Sequence, residues 1–321
     1  MAWNCYITIF KAEAPVHIGY KQVGILKTTR YYITGRAMWG AITANLTRAL
    51  FNYPKAEDYR DIGDFVRENI RTTYFYPAIR KNEMEDPENW SKYETDNYLV
   101  FLPKYTQEGI KFGEKIKEEF EQSFVGSFVS TALDSGTKTA EEGSLHEFEF
   151  IKNKVKIGNK TVDTYWVGYL FVKEKAENKK VEIEKCKEED VIIKRVNNNK
   201  RVELRNVLSL IHVGGEKNYG LGKLKLIAMQ KTNGKVFGKF DFELSNKYPI
   251  IKNLNVLVAH AILNKIRLEL GEIEPLVGLE WSGKGAGQSV STAVICITPG
   301  SKISGKYALG EYGLIKCLTN E

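Results

Sequence analysis

The sequence predicts an α+β fold, an antiparallel sheet backed by helices. Three observations predict it. The first half reads strand, helix, then several strands, without the regular strand–helix alternation of a parallel doubly wound sheet. The middle reads helix, glycine-rich loop, strand. A further apolar stretch, Leu254–Leu270, has helical spacing, is closed by Gly271 as a C-cap signal, and sits among strand-like runs.

Each element follows from its spacing. Trp3–Phe10 alternates, with Cys5, Ile7 and Ile9 on one face and Tyr6, Thr8 and Phe10 on the other. Both faces are apolar enough to be partly buried. A loop, His17–Lys27, follows. In Arg36–Leu50, Met38, Ile42, Leu46 and Ala49 recur every three or four residues, and Thr34 is a candidate N-cap. Ala56–Ile70 repeats the pattern through Tyr59, Ile62, Val66 and Ile70. Thr73–Ile79 and Tyr98–Leu102 read as strands, with polar Lys81–Asn97 an excursion between them. Glu114–Gln122 reads as helix, and Val125–Thr131, Leu145–Ile151 and Thr161–Val172 as strands. Lys173–Arg205 mixes charges densely and reads as a solvated excursion. Arg201–Val213 is helix-like, Lys223–Ala228 and Lys235–Leu244 strand-like. Glu280–Ser289 is a second glycine loop, and Val290–Ile297 and Leu309–Leu318 end the chain as strands.

Composition narrows the function classes. The 321 residues suffice for one or two domains, and a net charge of +7 is compatible with a polyanionic partner. Seventeen Tyr and 15 Phe beside many Lys and Arg suit single-stranded nucleic acid, where bases stack on rings; most of these rings are expected in the core. Cys5, Cys186, Cys296 and Cys317 are far apart with no C-x-x-C pair, so neither a zinc site nor a disulfide framework is expected. No cofactor is implied. The start Met1–Asn4 lacks the features of a signal peptide, no apolar run reaches membrane-spanning length, and a cytoplasmic location is expected.

The segment Gly214-Gly215-Glu216-Lys217-Asn218-Tyr219-Gly220-Leu221-Gly222-Lys223 stands out. Glycines permit positive φ and close approach of another backbone. Free N–H groups and two lysines would suit phosphate. A tight turn with solvated lysines explains the same composition, and both readings stand. Its order, helix then loop then strand, is the reverse of a P-loop or dinucleotide fingerprint, which excludes those nucleotide sites.

Three stretches together resemble the RAMP superfamily, the repeat-associated proteins of CRISPR systems. His17-Ile18-Gly19 with Tyr31–Ala41 (Y-Y-I-T-G-R-A-M-W-G-A) is similar to the family's "H-I-G" and "Y-I-P-G-S-x-x-K-G-A" segments. Thr131–Glu149 (T-A-L-D-S-G-T-K-T-A-E-E-G-S-L-H-E-F-E) resembles the backbone subunits' "A-I-D-x-x-T-x-x-A-x-x-G-x-L-F-x-x-E". Gly214–Lys223 is similar to the family's "G-G-x-x-S-R-G-x-G" loop. They occur in family order over the first 230 residues. The resemblance implies a ferredoxin-like, RRM-related core over residues 1–230, with a thumb-like hairpin at about 125–160 and a charged insertion at 173–205. Residues 231–321 are left as a C-terminal α+β section, for which a second ferredoxin-like half is one option.

The resemblance also implies a subunit of a type III CRISPR effector that grips guide RNA beside target RNA, other RAMP subunits and the large effector subunit. In that setting the glycine loop and the Arg36 helix contact RNA backbone. Asp134, Lys138 and their neighbours up to Leu145 belong to the thumb that enters between guide and target. The chemistry agrees: a guide held irrespective of sequence is gripped through phosphate and sugar. Arg36, Lys217 and Lys223 are suitable donors, Lys21, Lys27 and Arg30 form a second basic cluster, and Tyr31, Tyr219 and Trp39 are candidate stacking rings, although Trp39, one turn into a helix, is better read as a core residue.

Two departures bear on catalysis. Target-cleaving members carry an aspartate between the two halves of the first motif, and Tyr20–Arg30 holds no acid. Repeat-processing members place a histidine near the first helix, and Arg36–Leu50 has none. His17 is the one candidate acid or base, for a metal-independent endoribonuclease acting on repeat RNA; a structural loop histidine is the other reading. Thr34 in place of proline, and Arg36 and Trp39 in place of serine and lysine, suggest a divergent subtype. The chain is therefore expected to bind RNA without cutting it.

Overall fold

The computed structural model describes residues 2–84, 94–95, 97–141, 143–198, 200–264, 266–282 and 285–318. Strand β1 (Trp3–Ala12) leads into the hairpin β2 (Gly19–Val23)/β3 (Leu26–Thr29). Helices α1 (Gly35–Leu50) and α2 (Ala56–Asn69) follow, then β4 (Ile70–Thr72), β5 (Tyr76–Arg80), β6 (Glu94–Thr95) and β7 (Tyr98–Val100). A meander of β8 (Pro103–Thr106), β9 (Gly109–Phe112) and β10 (Lys115–Ile116) runs into α3 (Lys117–Phe124). Next come the hairpins β11 (Val125–Ser130)/β12 (His146–Ile151) and β13 (Lys154–Ile157)/β14 (Lys160–Asp163), and then β15 (Tyr165–Lys173). A second meander, β16 (Val181–Cys186), β17 (Val191–Arg195) and β18 (Arg201–Glu203), ends at α4 (Leu204–Leu208), β19 (Leu210–His212) and β20 (Lys223–Lys231).

Among the described residues the chain is mostly β with few helices, in several sheets. The main sheet runs β19-β20-β1-β15-β5-β7-β6, with β4 also on β15, and all its pairings are antiparallel. Its centre is β20-β1-β15-β5, with α1 and α2 between β1 and β5 in sequence and α4 between β15 and β20. The alternation of β1 decides what covers each face. Tyr6 and Phe10 join Met38, Ile42, Leu46, Ile62, Phe65 and Val66 of α1 and α2 in one core. Cys5 and Ile9 join Val167, Phe171, Ile251, Leu254 and Ile303 in a second core beneath the C-terminal section. Both faces are buried, as the two apolar faces of β1 foretold.

Thr34 caps α1 as expected, its hydroxyl accepting from Ala37 N at 3.3 Å. Other expectations need correction. The His17–Lys27 loop is largely the β2/β3 hairpin, turned at Gly24 with φ +60°. The 173–205 excursion carries the β16–β18 meander, because Val181, Ile183, Val191 and Ile193 bury one side of it. The Arg201–Val213 helix shrinks to Leu204–Leu208, flanked by strands. Lys235–Leu244 keeps only Phe242–Glu243 as strand, which is β21. Lys81–Asn97 lies largely outside the described residues, as do residues 283 and 284 of the second glycine loop.

The largest correction concerns the C-terminal section. Leu254–Leu270 is not a helix. Strands β22 (Ile250–Val256) and β23 (Ala261–Ile262) occupy it, followed by β24 (Ile273–Leu276), β25 (Leu279–Ser282), β26 (Gly285–Val290), β27 (Val294–Ile297), β28 (Lys302–Leu309) and β29 (Ile315–Cys317). Seven of the nine strands from β21 onward form a sheet in the order β21-β22-β28-β29-β23-β27-β24, and β25/β26 is a separate hairpin. No α-helix is found after residue 231 among the described residues, so the expected α+β character is absent there. An apolar run buried on both sides looks alike as helix or strand. Gly271, φ +141°, is not a cap: a Cβ there would lie 2.0 Å from the Ser301 hydroxyl.

Candidate nucleic-acid interface

The glycine segment connects β19 to β20 as a hairpin loop rather than joining a helix to a strand. His212 pairs with Lys223 and Ile211 with Leu224, so Ile211 and Leu224 enter the core while Lys223 turns outward. Two glycines are required by close packing. A Cβ on Gly214 (φ +74°) would lie 2.0 Å from the His17 carbonyl oxygen, and one on Gly222 (φ +83°) 2.0 Å from that of Val213. Gly215 N donates to His17 O at 3.0 Å, Gly222 N to Pro15 O at 2.7 Å, and Gly220 N to Lys217 O at 2.9 Å. These N–H groups are committed within the protein, so they do not form the free phosphate cradle expected of them. Gly220 faces open space, and Asn218 is exposed.

The loop leans on the long hairpin. Phe128 of β11 stands directly opposite Phe148 of β12. The Tyr219 ring lies 5.3 Å from Phe148 and 5.9 Å from Phe128, and its hydroxyl is 3.0 Å from His146 Nε2. Tyr219 is 45% exposed and Phe128 47%, so the cluster offers ring surface to solvent. Packing of β12 on β3 places the β2/β3 hairpin in the same sheet, β11-β12-β3-β2. Lys27 reaches from it to Glu216 at 2.8 Å.

A cationic cluster flanks the rings. Asn45 Nδ2 donates to Leu210 O at 2.8 Å and to Val207 O at 3.0 Å, fixing α1 against β19, and Arg48 lies one turn further on. Lys217 Nζ donates to His212 O at 3.4 Å. Burial and then the charges of Lys217, Lys223 and Arg48 lower the His212 pKa; burial and then Arg48 lower that of Lys217. Among the described residues Arg48, Lys217 and Lys223 make no ion pair. Unneutralised cations grouped in this way form a ready anion site.

The other expected contacts lie elsewhere or are already engaged. Arg30 is ion-paired with Glu274 at 2.6 Å and lies over the Tyr20 ring. Arg36 pairs with Glu280 at 2.9 Å and lies over the Tyr312 ring. It sits at the opposite end of α1 from Arg48, about 18 Å away along the axis. The Arg36 turn and the glycine loop therefore do not meet. Tyr31 packs against Phe112 and Phe120, its hydroxyl bound to Glu121, and Trp39 Nε1 donates to Gly63 O at 2.7 Å. Lys21 is exposed beside the Tyr20 ring. Asp134 Oδ1 accepts from Gly136 N, Thr137 N and the Thr137 hydroxyl at the hairpin tip, and these bonds hold its pKa down; Lys138, φ +55°, is exposed next to it. His17 is 4% exposed, with Nδ1 2.6 Å from Glu149 O, which does not suit it as an acid or base toward an RNA hydroxyl.

Arg48, His212, Phe128, His146 and Phe148 were missed by sequence reasoning. His146 and Phe148 lie within the Thr131–Glu149 motif but no role was drawn for them, and no local pattern marks Arg48, Phe128 or His212; strand register and helix docking bring the five together.

No family model and no curated protein matches the chain. Its fold is similar to that of a chain of the type III-B Cmr-beta complex bound to cognate target RNA, 10% identical over 93% of this chain and 86% of that one, with a TM-score of 0.47. A chain of the apo Cmr-beta complex is 11% identical over 70% of this chain and 97% of that one, TM-score 0.37. Oligomeric Cmr4 from Pyrococcus furiosus is 12% identical over 72% and 100%, TM-score 0.28. The likeness to type III-B Cmr subunits is thus one of shape at low sequence identity. No described helix is long and apolar enough to cross a membrane.

Proposed function

We propose that this protein is a non-cleaving RNA-binding subunit of a type III CRISPR effector, holding guide RNA by its backbone near target RNA and neighbouring RAMP subunits. One observation carries the reading. The His17–Gly19 half of the first RAMP-like stretch and the two later stretches, which span two hundred residues of sequence, converge: His17 O accepts from Gly215 N, His17 Nδ1 is bound to Glu149 O, and His146 is bound to Tyr219. A strand gripped there would lay bases on Tyr219 and Phe128 and phosphates on Arg48, Lys217 and Lys223. In this reading residues 1–230 form a ferredoxin-like core, supported by the strand order β20-β1-β15-β5 in a β-α-β-β-α-β sequence. The 125–151 hairpin is its thumb. The basis for a non-cleaving role is the acid-free β2/β3 hairpin and the enclosed His17.

The test is salt-dependent binding of cognate guide RNA by wild type and by Lys217→Ala/Lys223→Ala. The double variant is expected to bind at least tenfold more weakly. Equal affinity would remove the glycine-loop assignment. A discrete cut of repeat RNA in EDTA, lost in His17→Ala, would replace binding by catalysis.

A further inference from the structure

A second site lies on the other face of the main sheet, remote from the glycine loop. Phe171 of β15 stands opposite Arg71 of β4, and Lys173 of β15 opposite Trp3 of β1. Residues paired across a ladder, and those two apart along a strand, share a face. Arg71, Lys173 and Trp3 therefore project together toward the C-terminal section. The Tyr248 ring, on the connection between β21 and β22, covers the guanidinium with its centroid 5.6 Å away. Phe242 stands edge-on to Phe171, closing the seam from the same side.

This seam is rich in donors and poor in acceptors. Arg71 is 4% exposed and Trp3 2%. Arg71 Nε and Nη1 and Trp3 Nε1 are buried with no hydrogen-bond partner among the described residues. A guanidinium and an indole can only donate, so nothing but an acceptor satisfies them. Lys173 donates to Asn69 Oδ1 at 2.9 Å, with its ammonium 5.5 Å above the Trp3 ring. Burial lowers the pKa of both cations, and the Arg71 charge further lowers that of Lys173. Glu68 and Glu311 act on Arg71 through their charge, but they lie 3.7 and 3.8 Å from Arg67, which they help neutralise. A buried, unpartnered guanidinium is destabilising, and a bound anion would offset that.

We propose that the seam between β4, β15 and the Tyr248 connection binds a small tetrahedral oxyanion of the phosphate or sulfate class, held by Arg71 and Lys173. The donors are too enclosed for a nucleic-acid strand, whereas a small free ion reaches them once the Tyr248 connection opens. Bound there, it ties the main sheet to the C-terminal sheet.

The experiment is thermal unfolding of the full chain in chloride, phosphate and sulfate at matched ionic strength, with calorimetric titration of inorganic phosphate into wild type. Wild type is expected to show a saturable rise in Tm of at least about 3 °C with phosphate. Arg71→Met should lose the rise, and Lys173→Met should reduce it. Because Arg71→Met deletes an uncompensated buried charge, it should melt in chloride no lower than wild type. Identical wild-type Tm values in the three salts, or no heat on titration, would overturn the site even if the variant failed to fold. So would a phosphate response retained by Arg71→Met. Guide-RNA affinity should not change in Arg71→Met. A loss there would make the seam an RNA contact instead and overturn the free-ion reading.

Discussion

His146 Nε2 and the Tyr219 hydroxyl stand 3.0 Å apart, from residues 73 positions apart in the chain. The bond fastens the β19–β20 loop to the outer end of the β11/β12 ladder, where His146 pairs with Ser130. It makes one continuous surface of two segments that carry separate motifs. The ring it orients is 45% exposed and open to a stacked base.

Tyr219→Ala should therefore weaken binding of single-stranded RNA by roughly 5- to 100-fold, the range expected for one stacked base. Tyr219→Phe keeps the ring and loses only the His146 bond, so it should stay within about threefold of wild type. Fluorescence anisotropy with a labelled guide measures both. Equal losses would mean that the hydroxyl, not the ring, matters.

The cationic cluster predicts a change in salt dependence. Each single-strand phosphate contact contributes roughly 0.7 to the slope of log affinity against log salt. Removing Arg48, Lys217 and Lys223 together should lower that slope by roughly 2. Arg36→Ala should leave it unchanged, because Arg36 is paired with Glu280 at the far end of α1. A slope that falls with Arg36 and not with the triple variant would relocate the RNA path to the start of α1.

What could be read from sequence follows the range of the interactions. Helix α1 was legible because its apolar spacing and the Thr34 cap are local. The two-sided burial of β1 was legible in its alternation. Leu254–Leu270 misled because its centre, with Leu257, Val258 and Ala259 all enclosed, has no wet face to contradict the helical spacing of its apolar residues. At the site, Tyr219 was visible beside its glycines, but Phe128 and Phe148 meet it only through strand register. The ion pairs of Lys27, Arg30 and Arg36 join residues more than 180 positions apart, so basic residues that looked free to take RNA are already matched.

The glycines of the loop should separate by function. Gly222→Ala combines positive φ with a Cβ 2.0 Å from Val213 O and should cost more than about 2 kcal/mol. Gly220→Ala, at φ +81° with nothing within 4 Å, should cost about 1 kcal/mol. Urea midpoints measure both. Equal costs would show that the loop shifts to accept the Gly222 side chain.

Stability at acid pH should depend on the buried group that ties the β2/β3 hairpin to the C-terminal sheet. Glu274 Oε1 lies 2.6 Å from both Arg30 Nη1 and His260 Nε2, and His260 Nδ1 lies 2.8 Å from the Tyr74 hydroxyl. With Nε2–H donating to the carboxylate, Nδ1 accepts from Tyr74, which fixes the neutral tautomer. Burial raises the Glu274 pKa, but the His260 bond and the Arg30 charge outweigh it and bring it to about 2. Burial also lowers the His260 pKa, against the pull of Glu274. Both groups are more readily protonated in the unfolded chain than in the folded one. The His260 contribution is therefore complete above its unfolded value of about 6.5 and fades below it, and that of Glu274 fades from about 4.3 down to its folded value. Glu274→Gln strands the Arg30 charge and should cost about 3–5 kcal/mol at pH 7. The gap between wild type and variant should narrow as the pH falls from about 4.3 toward 2, as wild type loses its own carboxylate. Urea midpoints at a series of pH values measure it, and a gap that stays constant to pH 2.5 would mean that Glu274 acts by shape and not by charge.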